Sequence, residues 1–345
     1  MRSTRSATPR CVRCEGGGSV PEPLLSVRDL SVVYETVRGP VTAVDNLQLE
    51  VGEGEFAAVV GESGCGKSTL LFAIAGLLNP PARIASGSVL FRGADLVTMT
   101  ERELNELRWR DYSVVLQSAM NALNPVATLA AQYKDAMVAH GTHTKEEIHA
   151  RSMEVLRLVG IDPVHLRSYP HQLSGGMRQR AMIAMALLLA PDLVIMDEPT
   201  SALDVVAQRS LMVQIKELQQ LLGFAVVFVT HDMSLVSHFS DQLLVMYAGQ
   251  VVEQGPTRTV FDSPSHPYSR GLLEAFPSIR GPRVPLRGIP GSPPDLAAPP
   301  PGCRFHPRCP LVFDRCDTVP PALYEVGAAY SRCLLHAPAA REVTS

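Results

Sequence analysis

The run Gly61-Glu-Ser-Gly64-Cys-Gly66-Lys67-Ser68-Thr69 constrains this chain more than any other stretch of its sequence. Glycines packed this closely belong where the backbone must curl tightly and lie against a ligand. The spacing G-x-x-x-x-G-K-[ST] turns successive N–H groups inward toward phosphate oxygens, at the positive end of a following helix. The flanks agree with that geometry. Phe56–Val60 is an apolar run of strand length, and Leu70 to Leu78 is apolar and helical until Asn79, Pro80 and Pro81 stop it. In such a loop Lys67 reaches the β- and γ-phosphates and Ser68 holds Mg²⁺. The positions Gly61, Ser63, Gly64, Cys65, Gly66 and Thr69 wrap the phosphates.

Two further segments supply what a phosphate loop alone lacks. Leu193-Val-Ile-Met196-Asp197-Glu198 is an apolar strand delivering two carboxylates to its polar end. Asp197 suits the Mg²⁺ shell and Glu198 the attacking water. Leu173-Ser174-Gly175-Gly176-Met177 opens an apolar helix running to Ala190, which makes a second anion-receptive helix start. One chain cannot easily bring both helix starts to the same γ-phosphate. The expected solution is a head-to-tail pair of subunits, each completing the other's site.

The remaining sequence sets the frame. With 46% apolar and 19% charged residues, the 345-residue chain can bury a sizeable core, and its net charge of −3 offers no basic excess for nucleic acid. The longest apolar run, Ala181 to Ala190, is about half of what a bilayer span needs. Residues 1–23 are Gly/Arg/Ser-rich and read as a disordered tail without the apolar stretch of a secretory signal. Cys11 and Cys14 within it have metal-like spacing but no second pair. Strands are expected from Leu24 to Tyr34, over Leu47–Val51, Leu193–Met196 and Ala225–Val229, with an amphipathic helix over Val205–Leu222. Thr100 to Leu173 is helical in pattern, with capping boxes at Thr100/Glu103 and Thr144/Glu147. Strands alternating with helices give an α/β fold with a mostly parallel sheet. Residues 281–345 hold 13 of the 28 prolines, which marks a loop-rich appendage.

With these motifs in order, the chain resembles the nucleotide-binding subunit of ABC transporters from about residue 24 to 335. The resemblance implies a P-loop ABC cassette over residues 24–280, with an antiparallel β subdomain and a helical subdomain at about 100–175. It implies that Leu173–Met177 is the signature motif and that Tyr34 stacks on adenine. Gln117, after Val114-Val115-Leu116, corresponds to the glutamine that touches Mg²⁺. Ser201-Ala202-Leu203-Asp204 is similar to the loop crossing the dimer interface, and His231 to the switch histidine on the γ-phosphate. Two ATP molecules would then be sandwiched between facing subunits and hydrolysed with Lys67, Glu198 and His231 at the reacting phosphate. Cys65, in the phosphate loop, would make the ATPase sensitive to thiol reagents.

Tyr169-Pro-His-Gln172, Asn121-Ala-Leu-Asn-Pro125, Phe261-Asp-Ser-Pro-Ser-His-Pro-Tyr268 and the tail Gly302-Cys-Arg-Phe-His-Pro-Arg-Cys-Pro310 are similar to oligopeptide/dipeptide importer ATPases. Relatives with this tail also serve nickel and oligosaccharide import. The resemblance implies a peripheral subunit on the cytoplasmic face of the membrane, without nucleic acid. Its partners would be a second, homologous ATPase subunit, two membrane permeases and an external solute-binding protein. Cys303, Cys309, Cys316 and Cys333 in the extension 281–345 suit a metal or plain thiols. Their spacing alone admits zinc, an iron–sulfur cluster or no ligand, and the resemblance implies a 4Fe–4S cluster. A rival class, soluble ABC ATPases that remodel nucleic acid or ribosomes, carries paired cassettes, long coiled coils or basic arms, none of which this sequence shows.

Overall fold

Two long antiparallel strands, β1 (Leu25–Thr36) and β2 (Gly39–Val51), begin the computed structural model, which describes residues 22–117, 122–201, 203–275 and 288–338. The five residues of β3 (Phe56–Val60) are all buried, and the strand runs into the phosphate loop and α1 (Lys67–Ile74). The chain then returns as β4 (Ala82–Phe91) and β5 (Ala94–Asp95), giving a four-stranded sheet in the order β2-β1-β4-β5 with antiparallel pairing throughout.

The middle of the chain holds α2 (Glu101–Leu107), β6 (Tyr112–Val115), α3 (Leu129–Ala139), α4 (Lys145–Leu158) and α5 (Gly175–Ala186). Both expected capping boxes are present. The N–H of Thr100 donates to Glu103 at 2.7 Å and that of Thr144 to Glu147 at 2.8 Å, and each threonine hydroxyl accepts the reciprocal bond. One element departs from the helical reading of this region. Tyr-Ser-Val-Val is too short to show a period, and it forms β6 because it pairs in parallel with a distant strand, not because of any local preference.

That distant strand is β7 (Leu193–Asp197), followed by α6 (Val205–Leu222), β8 (Ala225–Val229), α7 (Met233–Phe239) and β9 (Gln242–Tyr247). Five strands in the order β9-β3-β8-β7-β6 pair in parallel. Such strands are covered on both faces and read as continuous apolar runs. Accordingly, Phe56, Ala58 and Val60 of β3 enter one hydrophobic core, and Ala57 and Val59 enter the other. No helix among the described residues is long and apolar enough to cross a membrane.

After β10 (Gln250–Pro256), α8 (Thr257–Asp262) and α9 (Pro267–Glu274), the proline-rich extension folds back on the sheet. It is less of a loose appendage than its composition indicates. Its hairpin, β11 (Tyr324–Val326) and β12 (Ala329–Ser331), adds to the edge of the large sheet through Glu253↔Ser331 and Gln254↔Tyr330. Phe305, 2% exposed, packs its ring against Tyr247, Tyr268 and His266 at centroid distances of 5.2, 5.4 and 5.8 Å. Arg332 Nε donates to the carbonyl of Val251 at 2.9 Å. Phe305 and Arg332 therefore staple a segment with little core of its own onto the cassette.

Beneath that staple two buried ionisable groups meet the chain. Glu253 accepts the N–H groups of Ser265 and His266 at 2.7 and 3.0 Å, and burial raises its pKa. His266 Nδ1 accepts the N–H of Tyr268 at 3.0 Å, and burial lowers the imidazole from 6.5 to about 3. The unfolded chain therefore binds one more proton than the folded chain between those values. Stability contributed by neutral His266 is present above pH 6.5 and declines as pH falls toward 3. The midpoint of thermal unfolding should drop across this window, and His266→Gln should flatten part of the drop. Phe305→Ala should cost about 3 kcal/mol of stability in urea titration, as loss of a fully buried ring does.

Candidate active site

The carboxyl ends of the parallel strands carry the phosphate loop, Gln117, Asp197, Glu198 and His231, which is where open α/β sheets hold their ligands. From β3 comes the loop Gly61–Gly66. Backbone φ is +153° at Gly61 and +104° at Gly66. A Cβ at either would sit 2.2 Å from a carbonyl oxygen, that of Met246 at Gly61 and of Ala43 at Gly66, so only glycine fits. Gly66 caps α1, whose first residue is Lys67. Its ammonium is buried and donates to the carbonyls of Gly61 at 2.8 Å and Glu62 at 3.0 Å.

β7 ends in Asp197, whose Oδ1 accepts the hydroxyl of Ser68 at 3.3 Å. Burial raises the pKa of this carboxyl, and the bond from Ser68 lowers it in part. The next residue, Glu198, has φ +45°, a left-handed conformation rare outside glycine. Its carboxylate is bridged on both sides. Gln117 Nε2, beyond the end of β6, donates to one oxygen at 3.1 Å, and His231 Nδ1, beyond the end of β8, lies 3.2 Å from the other. Backbone strain kept at such a junction is characteristic of functional positions.

Except for the buried Asp197, these groups line one cleft of about 590 Å³, within the size range of small-molecule sites. Tyr34, Gly61, Ser63, Gly64, Gly66, Lys67, Ser68, Thr69, Gln117, Glu198 and His231 all face it. Tyr34 stands at its rim with its hydroxyl 3.2 Å from that of Thr69. Ser174, Gly175 and Gly176 do not line the cleft, and neither does Asp204. Ser174 caps α5 by accepting the N–H of Met177 at 3.3 Å, and Asp204 caps α6 by accepting that of Ala207 at 2.9 Å. Sequence reasoning missed Leu296, a residue of the extension that also lines the cleft, and Glu62, whose carboxylate meets Arg308 of the extension.

The matches to known proteins follow the same division. A family model described as ABC transporter covers residues 44–201, and one described as oligopeptide/dipeptide transporter, C-terminal region, covers 252–316. The chain is 42% identical to a dipeptide transport ATP-binding protein, DppD, of Caldanaerobacter subterraneus, across 91% of this chain and 97% of that protein. The chain belongs to the ABC transporter family. It is likewise 43% identical to the oligopeptide transport ATP-binding protein OppD of Salmonella typhimurium over 89% of this chain and 93% of that one. Among solved structures it resembles a dimeric, post-hydrolysis ATP-binding cassette, MJ0796, bound to ADP and Pi. The TM-score is 0.61 and the identity 29%, covering 68% of this chain and 99% of that one. As an ABC ATPase the cassette hydrolyses ATP.

Two expectations about cysteines change in this cassette. Cys65 is 3% exposed, and burial raises its thiol above the ordinary value. It is therefore protonated and shielded, the opposite of a reagent-sensitive thiol. Cys303, Cys309, Cys316 and Cys333 share one neighbourhood, with the N–H of Cys303 donating to the carbonyl of Cys316 at 2.8 Å. Burial raises Cys303 and Cys309 and pushes Cys333 up to about 12. Yet among the described residues no three His, Cys, Asp or Glu side chains are grouped to hold a metal ion. The arrangement therefore gives no support to a 4Fe–4S cluster or zinc at the four thiols. Cys11, Cys14, Asn121 and Ala202 lie outside the described residues. The native protein should take up iodoacetamide at Cys65 at least about tenfold more slowly than the urea-unfolded protein, as read by mass spectrometry.

Proposed function

We propose that the chain is the ATP-driven motor of a peptide importer, in which each residue of the cleft has a distinct task. The reading rests on the carboxylate of Glu198, held between Gln117 and His231 over a phosphate loop. Glu198 orients water for in-line attack on the γ-phosphorus. Lys67 turns from the carbonyls of Gly61 and Glu62 to the β- and γ-oxygens, and His231 donates to the γ-phosphoryl group as its charge develops. Tyr34 stacks on adenine, and the backbone N–H groups of Ser63 to Thr69 receive the phosphates.

Ser68 and Asp197, already paired, offer hard oxygen donors that fit Mg²⁺, and Gln117 lines the same cleft as Ser68. When bound there, the ion neutralises charge on the phosphate oxygens. No step passes through the tail thiols.

Because Ser174, Gly175, Gly176 and Asp204 sit away from their own cleft, they complete the site of a facing subunit. That subunit is a second, homologous ATPase. Closure around two ATP molecules and reopening after hydrolysis form the stroke. It acts on two membrane permeases at the cytoplasmic face, fed by an external solute-binding protein. The dipeptide and oligopeptide relatives support a peptide cargo over nickel or sugar. Residues 24–280 form the motor and 281–345 its extension.

In Glu198→Gln, ATP turnover should fall by about two to four orders of magnitude with binding retained. Phosphate release and mant-ATP fluorescence measure the two quantities. Turnover at the parent rate would remove Glu198 from its role.

A further inference from the structure

The glycines of the phosphate loop permit its shape but do not hold it. At rest Lys67 braces the carbonyls of Gly61 and Glu62, and this brace is released when the ammonium turns to a phosphate. Glu62 then keeps two other anchors. Its N–H donates to the Tyr268 hydroxyl at 2.9 Å, and its carboxylate takes both arms of Arg308, at 2.7 and 2.9 Å. Arg308 comes from the extension, and its side chain is 6% exposed. Its guanidinium lies 5.7 Å from the centre of the Tyr247 ring, and its Nε donates to the carbonyl of Pro290 at 2.8 Å. From Pro290 the chain continues to Leu296, which lines the nucleotide cleft.

We propose that Arg308 is a positioning residue for ATP binding. It grips Glu62 from the extension, fixes the phosphate loop, and cancels the charge of a carboxylate that belongs to that loop. A forked guanidinium on a carboxylate is the geometry that gives both charge and direction. The proposal rests on the ATPase reading, because it assigns the loop to phosphate.

The test uses the full-length chain, with mant-ATP as the probe and thermal unfolding in parallel. Arg308→Gln should weaken mant-ATP binding about tenfold, and less at about 0.5 M salt, because a bare carboxylate then repels the phosphates. Adding Glu62→Gln removes that carboxylate and should restore affinity to within about threefold of the parent. Arg308→Lys keeps the charge, loses the fork, and should lose about threefold. Arg304→Gln, which breaks only contacts to Asp45 and the Ala248 carbonyl, should bind as the parent does. A purely structural arginine would give no rescue in the double variant. An Arg308→Gln chain that binds like the parent, or a double variant as weak as the single, overturns the proposal. If Arg308→Gln does not fold, Arg308→Lys decides it, and binding equal to the parent's overturns the proposal. A parent chain that does not bind mant-ATP overturns the ATPase reading itself.

Discussion

Parallel pairing of β9, β3, β8, β7 and β6 is the constraint on which the rest of the molecule depends. Each pairing fixes where a strand stops relative to its neighbours, and in this sheet all the chemistry lies just past the stops. Asp197 stands opposite Val229, so Glu198 and His231 emerge side by side, although 33 positions separate them along the chain. Val115 pairs with Met196, which brings Gln117 to the same carboxylate. A slip of one residue in any of these registers would turn the adjoining side chains to the opposite face. The buried apolar strands exist to prevent that slip, and the phosphate loop has its shape because β3 ends among them.

Against this rigid frame, the site combines strain and charge. Glu198 adopts a left-handed backbone conformation directly after a buried carboxyl, and its own carboxylate is held from both sides. Lys67 is buried beside loop carbonyls that stand in for the oxygens of a ligand.

Most of the frame is legible in the sequence because its signals are local. Phosphate-loop spacing, the apolar strands Phe56–Val60 and Ala225–Val229, the helix Val205–Leu222 and both capping boxes each declare themselves within a short stretch of chain. The misreadings share the opposite property. β6 is four residues long and gains its identity from β7. Proline density in the extension indicates loops. It gives no sign that Phe305 enters an aromatic cluster or that Arg308 reaches Glu62, 246 positions away. Cysteine spacing carries least of all, because whether four thiols make a ligand set depends on side-chain directions that no spacing encodes.

The small hairpin that ends the extension also decides what borders the large sheet. β12 occupies the outer side of β10, a seven-residue strand whose free hydrogen-bonding groups would otherwise line that margin. In its place the margin is β11, only three residues long and thus a poor template for a foreign strand. The extension therefore acts as a selvedge. A chain trimmed before it would expose a raw border inviting other polypeptides to add to it. Loss of solubility would then accompany the loss of the Arg308 grip on Glu62.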